Sequence, residues 1–131
     1  MARGFGVMAE ARPWVVVVND DAAVREAICF VLRLEGLEVC AHADAASALA
    51  CPQLPAARCL VLGDHPPAQD GCELLRLLRA RNATAPAILL AGRVTPVLRA
   101  RAGVAGMAVV LEKPLLDDAL VEAVLAAVGH T

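Results

Sequence analysis

The chain has almost no aromatic side chains: one Trp, two Phe and no Tyr among 131 residues. Its apolar content of 59% therefore comes mainly from Ala, Val and Leu, a composition that suits helices packed closely on a buried sheet and excludes a disordered chain. Long apolar runs are missing too. None approaches the roughly 20 residues that span a bilayer, and the N-terminal MARGFGVMAEARP lacks the continuous apolar centre of a signal peptide. A cytoplasmic protein with no membrane contact is expected. Neither sign of charge dominates: 12 basic and 14 acidic residues are interspersed, for a net charge of -2, so no nucleic-acid-binding face is expected. The five cysteines, at 29, 40, 51, 59 and 72, form no CxxC pair. Most lie in apolar segments, where Cys behaves as a small hydrophobe, and they read as reduced structural thiols. The histidines His42, His65 and His130 are scattered, which argues against Cys-His catalysis. Lysine is rare as well, since Lys113 stands alone beside eleven arginines.

What is present is a regular alternation. Residues 1–13 mix Gly, Arg and Ala without periodicity and end in Pro13, which predicts a flexible leader before a single domain over 14–128. WVVVV, 14–18, reads as a fully buried strand because consecutive valines leave no polar face. Val24, Ile28, Val31 and Leu32 then recur at helical spacing up to Glu35, and Gly36 follows as a C-terminal cap. A short strand at 37–41 leads to a short helix capped by Asp44 and ended by Pro52 and Pro55. RCLVLG is a third strand, and 70–81 a helix with Leu74, Leu75 and Leu78 on one face. PAILLAG is a fourth strand; TPVLRARAG is a helix with Thr95 as cap and Pro96 in its first turn. MAVVLEK is a fifth strand, and 117–128 a last helix.

Strand and helix thus alternate five times, which predicts an α/β fold: a (βα)5 doubly wound, parallel five-stranded sheet covered on both faces. Five units suit an open flavodoxin-like sheet better than a closed barrel, which needs eight. Such sheets work at the carboxyl ends of their strands. Those ends carry Asn19, Asp20 and Asp21 after the first strand, Gly63 and Asp64 after the third, Ala91 after the fourth and Lys113 after the fifth. Carboxylates converging with a lysine make a plausible site for Mg2+ and a phosphoryl group.

VVVVNDDAAVREAICFVLRLEGLEV, CLVLGDHPPAQDGCELLRLLRA and VLEKP, taken together, resemble the receiver domain of two-component response regulators over essentially residues 14–128. The resemblance implies strand order 2-1-3-4-5 and no enzyme activity of its own. It places the family's acidic pair on Asn19 and Asp20, its lysine on Lys113, and its usual cis proline on Pro114. The phosphate-accepting aspartate should lie eight residues before Gly71 and four before Pro67; both counts land on Gly63, with Asp64 one residue late. The hydroxyl residue after the fourth strand is Ala91, and the aromatic switch of the fifth strand is Val110. Asp20 and Asp21 alone make at best a weak metal site, so no cofactor is expected unless Asp64 is a working acceptor, in which case Mg2+ is. With position 63 empty of a carboxylate, Lys113 is expected to turn to Asp20.

These departures lead to the expectation of a stand-alone, degenerate receiver that acts by phosphorylation-independent protein binding, with a histidine kinase, another response regulator or an effector as partner. The expected contact face is Val97, Leu98, Arg101, Val110, Asp117 and Asp118, on the fourth helix, fifth strand and fifth helix, which would also serve a homodimer. Two alternatives stay open. One is a phosphorylatable receiver using Asp64, if its carboxylate turns toward Asp20 and Lys113 rather than to solvent. The other is a flavodoxin-like small-molecule module, disfavoured because no phosphate-cradling loop follows the first strand and because GDHPPAQDG misses the Asp-x-His-x-x-Gly cobalamin spacing.

Overall fold

A computed structural model describes residues 12–113 and 118–129. The expected leader therefore lies almost wholly outside the described residues, as do Pro114 and Asp117. Strands β1 (Trp14–Val18), β2 (Glu38–His42), β3 (Ala57–Asp64), β4 (Ala87–Ala91) and β5 (Val109–Glu112) form one parallel sheet in the order β2-β1-β3-β4-β5. Helices α1 (Ala22–Leu34), α2 (Ala45–Leu49), α3 (Gly71–Ala80), α4 (Pro96–Ala105) and α5 (Ala119–Ala127) connect and cover it. A 3-10 turn at Leu54–Ala56, unforeseen in the sequence, links α2 to β3.

Alternation along the strands divides the core in two. Val16, Val18, Leu60, Leu62 and Leu89 face one way, onto Leu74, Leu75 and Leu78 of α3 and Ala102 of α4. Val15, Val17, Val61, Ile88 and Leu90 face the other, onto Ile28 and Leu32 of α1 and Leu120 and Val124 of α5. Successive side chains leave opposite faces of a strand, so a run of valines is needed exactly where both faces are covered by helices.

Polar caps set the helix starts. The carboxylates of Asp21, Asp44 and Asp70 and the hydroxyl of Thr95 each accept a backbone N–H in the first turn of α1, α2, α3 and α4. Gly106, in the left-handed region at φ 97°, ends α4. Gly71 answers to space instead: a Cβ there would lie 2.3 Å from Leu89 Cδ1, where α3 starts against the sheet.

Candidate functional site: the strand ends

The carboxyl ends of β1, β3, β4 and β5 bring the sequence-predicted residues together, but not as a cluster of carboxylates. Asn19 is 1% exposed. Its Oδ1 accepts the Asp21 N–H at 2.9 Å, which fixes the other end of the amide as the nitrogen. That Nδ2 is buried without a hydrogen-bond partner and points at Gly63. A Cβ built on Gly63 would stand 3.0 Å from Asn19 Nδ2 and 3.4 Å from both Asn19 Cγ and the Val18 carbonyl oxygen. A side chain at 63 would thus begin in tight contact with the amide at 19, which would have to give by a few tenths of an ångström.

Asp64 takes neither of the two orientations weighed from the sequence. It is 7% exposed and turned to the face of the sheet opposite the one a side chain at 63 would enter; its Oδ1 accepts the Gly71 N–H at 2.8 Å, at the start of α3. The register explains the direction, since residue 64 follows Leu60 and Leu62 on the α3 side while residue 63 follows Cys59 and Val61 on the α1 side. On its own side Asp64 borders a cleft lined also by His65, Ala91, Arg93, Thr95 and Arg101.

The remaining acids are engaged elsewhere. Asp20 pairs with His65, its Oδ2 3.0 Å from Nδ1, which corrects the expected pairing with Lys113. Asp21 caps α1, its Oδ1 accepting from Val24 N at 3.1 Å. Asp70 accepts from Cys72 and Glu73 N–H and from Arg101 at 2.9 Å. The Glu73 backbone hydrogen bond, with help from Arg101, holds the Asp70 carboxyl below the ordinary 3.8. Lys113 is half-buried, and its N–H donates to the Ala91 carbonyl at 2.8 Å. The ion pairs among the described residues are His65–Asp20, Arg76–Glu73 and Arg101–Asp70, none involving Lys113.

Mg2+ is a hard cation that needs several oxygens in octahedral array. Position 19 presents an N–H toward the pocket, position 63 presents no side chain, and Asp20 and Asp21 are held by His65 and by α1. Sequence reasoning also missed Gln69 and Glu112. Gln69 is buried, its Nε2 donates to the Gly63 carbonyl, and backbone bonds of 2.8 and 2.9 Å to His65 close the β3–α3 loop. Glu112 Oε1 accepts from Val94 N at 2.8 Å and ties β5 to the loop before α4.

The expected contact face needs one correction. Leu98 is only 8% exposed and belongs to the core under α4, whereas Val97 and Val104 are 70% and 92% exposed. Val110 is partly buried against the same core, and Asp118 is exposed.

An open parallel sheet in this order, with Asp20 and Asp64 near the ends of β1 and β3 and a lysine after β5, fits the architecture of a signalling receiver. The chain belongs to the response regulator receiver domain family, whose model matches residues 15–125. It is 38% identical over 124 residues to the transcriptional regulatory protein FixJ of Azorhizobium caulinodans, covering 95% of this chain and 58% of that protein. It is 36% identical to the C4-dicarboxylate transport transcriptional regulatory protein DctD of Pseudomonas aeruginosa, covering 88% of this chain and 25% of the relative. The chain thus spans about half or less of the length of these curated relatives. Among solved structures, FixJ-N matches with a TM-score of 0.77 at 31% identity over 93% of this chain and 98% of that one. The chemotaxis protein CheY4 of Vibrio cholerae matches in fold, with a TM-score of 0.80 at 23% identity over 89% of this chain and 99% of that one. Receiver domains of this family are signalling modules of two-component systems that interact with histidine kinases and effector domains. No helix among the described residues is long and apolar enough to cross a membrane.

Proposed function

We propose that this chain is a receiver without a phosphorylation switch, which signals by binding a partner protein constitutively. The observation that carries the reading is the pair formed by Gly63 and Asn19: position 63, where the resemblance puts the acceptor, has no side chain, and the amide of the neighbouring strand stands 3.0 Å from where its Cβ would be. Phosphoryl transfer to a receiver needs a carboxylate oxygen in line with the donor phosphorus, forming the acyl phosphate as the donor's bond to phosphorus breaks, and a cation to neutralise the charge that develops. Asp64 is a poor substitute, because its carboxylate lies on the other side of the sheet and is bonded to the start of α3.

A trigger shifts a two-state equilibrium only through different affinities for the two states. With Gly63, Ala91 and Val110 at the acceptor, hydroxyl and aromatic positions, the surface formed by α4 and β5 rests in one state, and control passes to the amount of protein or to competition for the partner. Val97, Ala100, Arg101 and Val104 recur at helical spacing on α4, with both valines exposed, and form the contact face we assign.

The test is intact mass after incubation with acetyl phosphate and Mg2+. The expected result is no added phosphoryl group. A stable single addition that Asp64→Asn abolishes would establish the alternative acceptor and overturn this reading.

A further inference from the structure

Cys40, His42 and Cys51 meet at the β2 edge of the sheet. Cys40 and His42 are two residues apart on β2, so their side chains leave the same face, the one that carries the core under α2 and α3. Cys51 follows two residues after α2 and is buried. The two sulfurs and one nitrogen of the His42 ring lie within 4.8 Å of one another, the one such group of three potential ligands among the described residues. Cys40 Sγ and Cys51 Sγ also both approach Gln53 Oε1, at 3.2 and 3.7 Å.

The histidine is engaged at one end only. Its Nδ1 is hydrogen-bonded to Ser47 Oγ at 2.7 Å, while Nε2 is buried with no partner. In the tautomer in which Nδ1–H donates to Ser47, Nε2 presents a buried lone pair that nothing in the protein satisfies. A hydrogen bond on the far nitrogen that sets ring orientation and tautomer is the usual support of a metal-ligating histidine.

We propose that Cys40, Cys51 and His42 Nε2 form a Zn2+ site, with Gln53 Oε1 or a water as fourth ligand. Two thiolates and one imidazole suit a borderline-soft cation that prefers four ligands in a tetrahedron. The two thiolate charges cancel those of Zn2+, so the filled site is neutral, as a half-buried position requires. Bonds of about 2.3 Å to sulfur and about 2.1 Å to nitrogen place tetrahedral ligands roughly 3.5–3.8 Å apart, so side-chain rotation closes the present spacing. Binding sends the two thiol protons to solvent. The ion would tie the edge strand β2 to the segment after α2. The site shares no residue with the strand-end pocket and is independent of how that pocket works.

The test uses the protein reduced with a phosphine, freed of metal with a chelator, and titrated with Co2+ and then Zn2+. The expected result is one equivalent of Co2+ giving the visible bands and thiolate-to-metal charge transfer of a tetrahedral sulfur-ligated site, displaced by one equivalent of Zn2+, which also raises the melting temperature. Cys40→Ser with Cys51→Ser, its fold checked by circular dichroism, loses both signals. Ser47→Ala keeps the Co2+ spectrum and weakens Zn2+ about tenfold, as loss of an orienting partner does. Cys29→Ser, on the opposite face of the sheet, changes neither. Absence of the charge-transfer band in the unaltered protein, its persistence in the double variant, or its loss in Cys29→Ser would overturn the proposal.

Discussion

Two groups of chemistry-bearing residues lie side by side on neighbouring strands, joined where the Asn19 N–H donates to the His42 carbonyl, and they are in opposite condition. At the ends of β1 and β3, where the family places its reactive centre, Asp20 is paired with His65, Asp21 caps α1, Asp64 holds the start of α3 and the Asn19 amide lies against Gly63. At the β2 edge, where the family reading asks for nothing, the thiols of Cys40 on the strand and Cys51 after α2 converge with an unpartnered imidazole nitrogen.

The comparison is broken most sharply by restoring the first group. Gly63→Asp alone crowds the Asn19 amide, whose unpartnered Nδ2 can donate to the new carboxylate, and is expected to cost about 1 kcal/mol by overpacking, measured by urea denaturation. Asn19→Asp combined with Gly63→Asp re-creates the paired carboxylates, and this variant is expected to gain a Mg2+-dependent rise in melting temperature and a phosphoryl group from acetyl phosphate. If it gains neither, the defect lies beyond those two residues.

A smaller effect follows at Asp64. Asp64→Ala leaves the buried Gly71 N–H without its acceptor and should lower stability by about 1–3 kcal/mol, whereas Asp64→Asn, which keeps a carbonyl oxygen there, should cost less. Equal stability of all three proteins would remove the structural role assigned to this carboxylate.

Smaller again is the pH response of Asp70. Its folded pKa is depressed, so the unfolded chain takes up a proton first as pH falls; the stabilisation is full above the ordinary 3.8 and is lost as pH drops through the lower folded value. Asp70→Ala should cost about 1 kcal/mol near neutral pH, as the loss of a helix cap does, and the gap should narrow in acid denaturation curves below pH 3.8. A gap that widens in acid would reverse the assignment. The smallest effect on stability is at Val104. Val104→Glu should shift it by no more than about 0.5 kcal/mol, while abolishing partner recovery from the native host if α4 is the contact face.

Much of the fold was legible because its signals are local. The valine run of β1, the caps at Asp21, Asp44 and Thr95, and the apolar spacing of α1 and α3 each act within a few residues, and the strand order followed from the resemblance. Gly63 was singled out by two counts in the sequence, from Gly71 and from Pro67. What escaped depends on contacts between elements. Periodicity could not decide between the adjacent Val97 and Leu98 in a ten-residue helix rich in Ala, and Leu98 is the one that faces the core. The commitment of Asp20 to His65 joins residues 45 apart. Cys40 and His42 share a strand face by simple alternation, but that Cys51 returns to them after a helix and a turn is fixed only by the packing of α2 on β2. The same sequence that read as scattered histidines and inert thiols therefore folds into a cluster.

The most direct test of the central claim is residue-resolved NMR of the unaltered protein titrated with Mg2+ and beryllofluoride, a mimic of the phosphoryl group. The account predicts that amide resonances of α4 and β5 stay in place, because the pocket lacks the carboxylate on which the mimic must sit. Saturable shifts spreading from Asp64 or Asn19 to Lys113 and across α4 would contradict it and show a switch still at work.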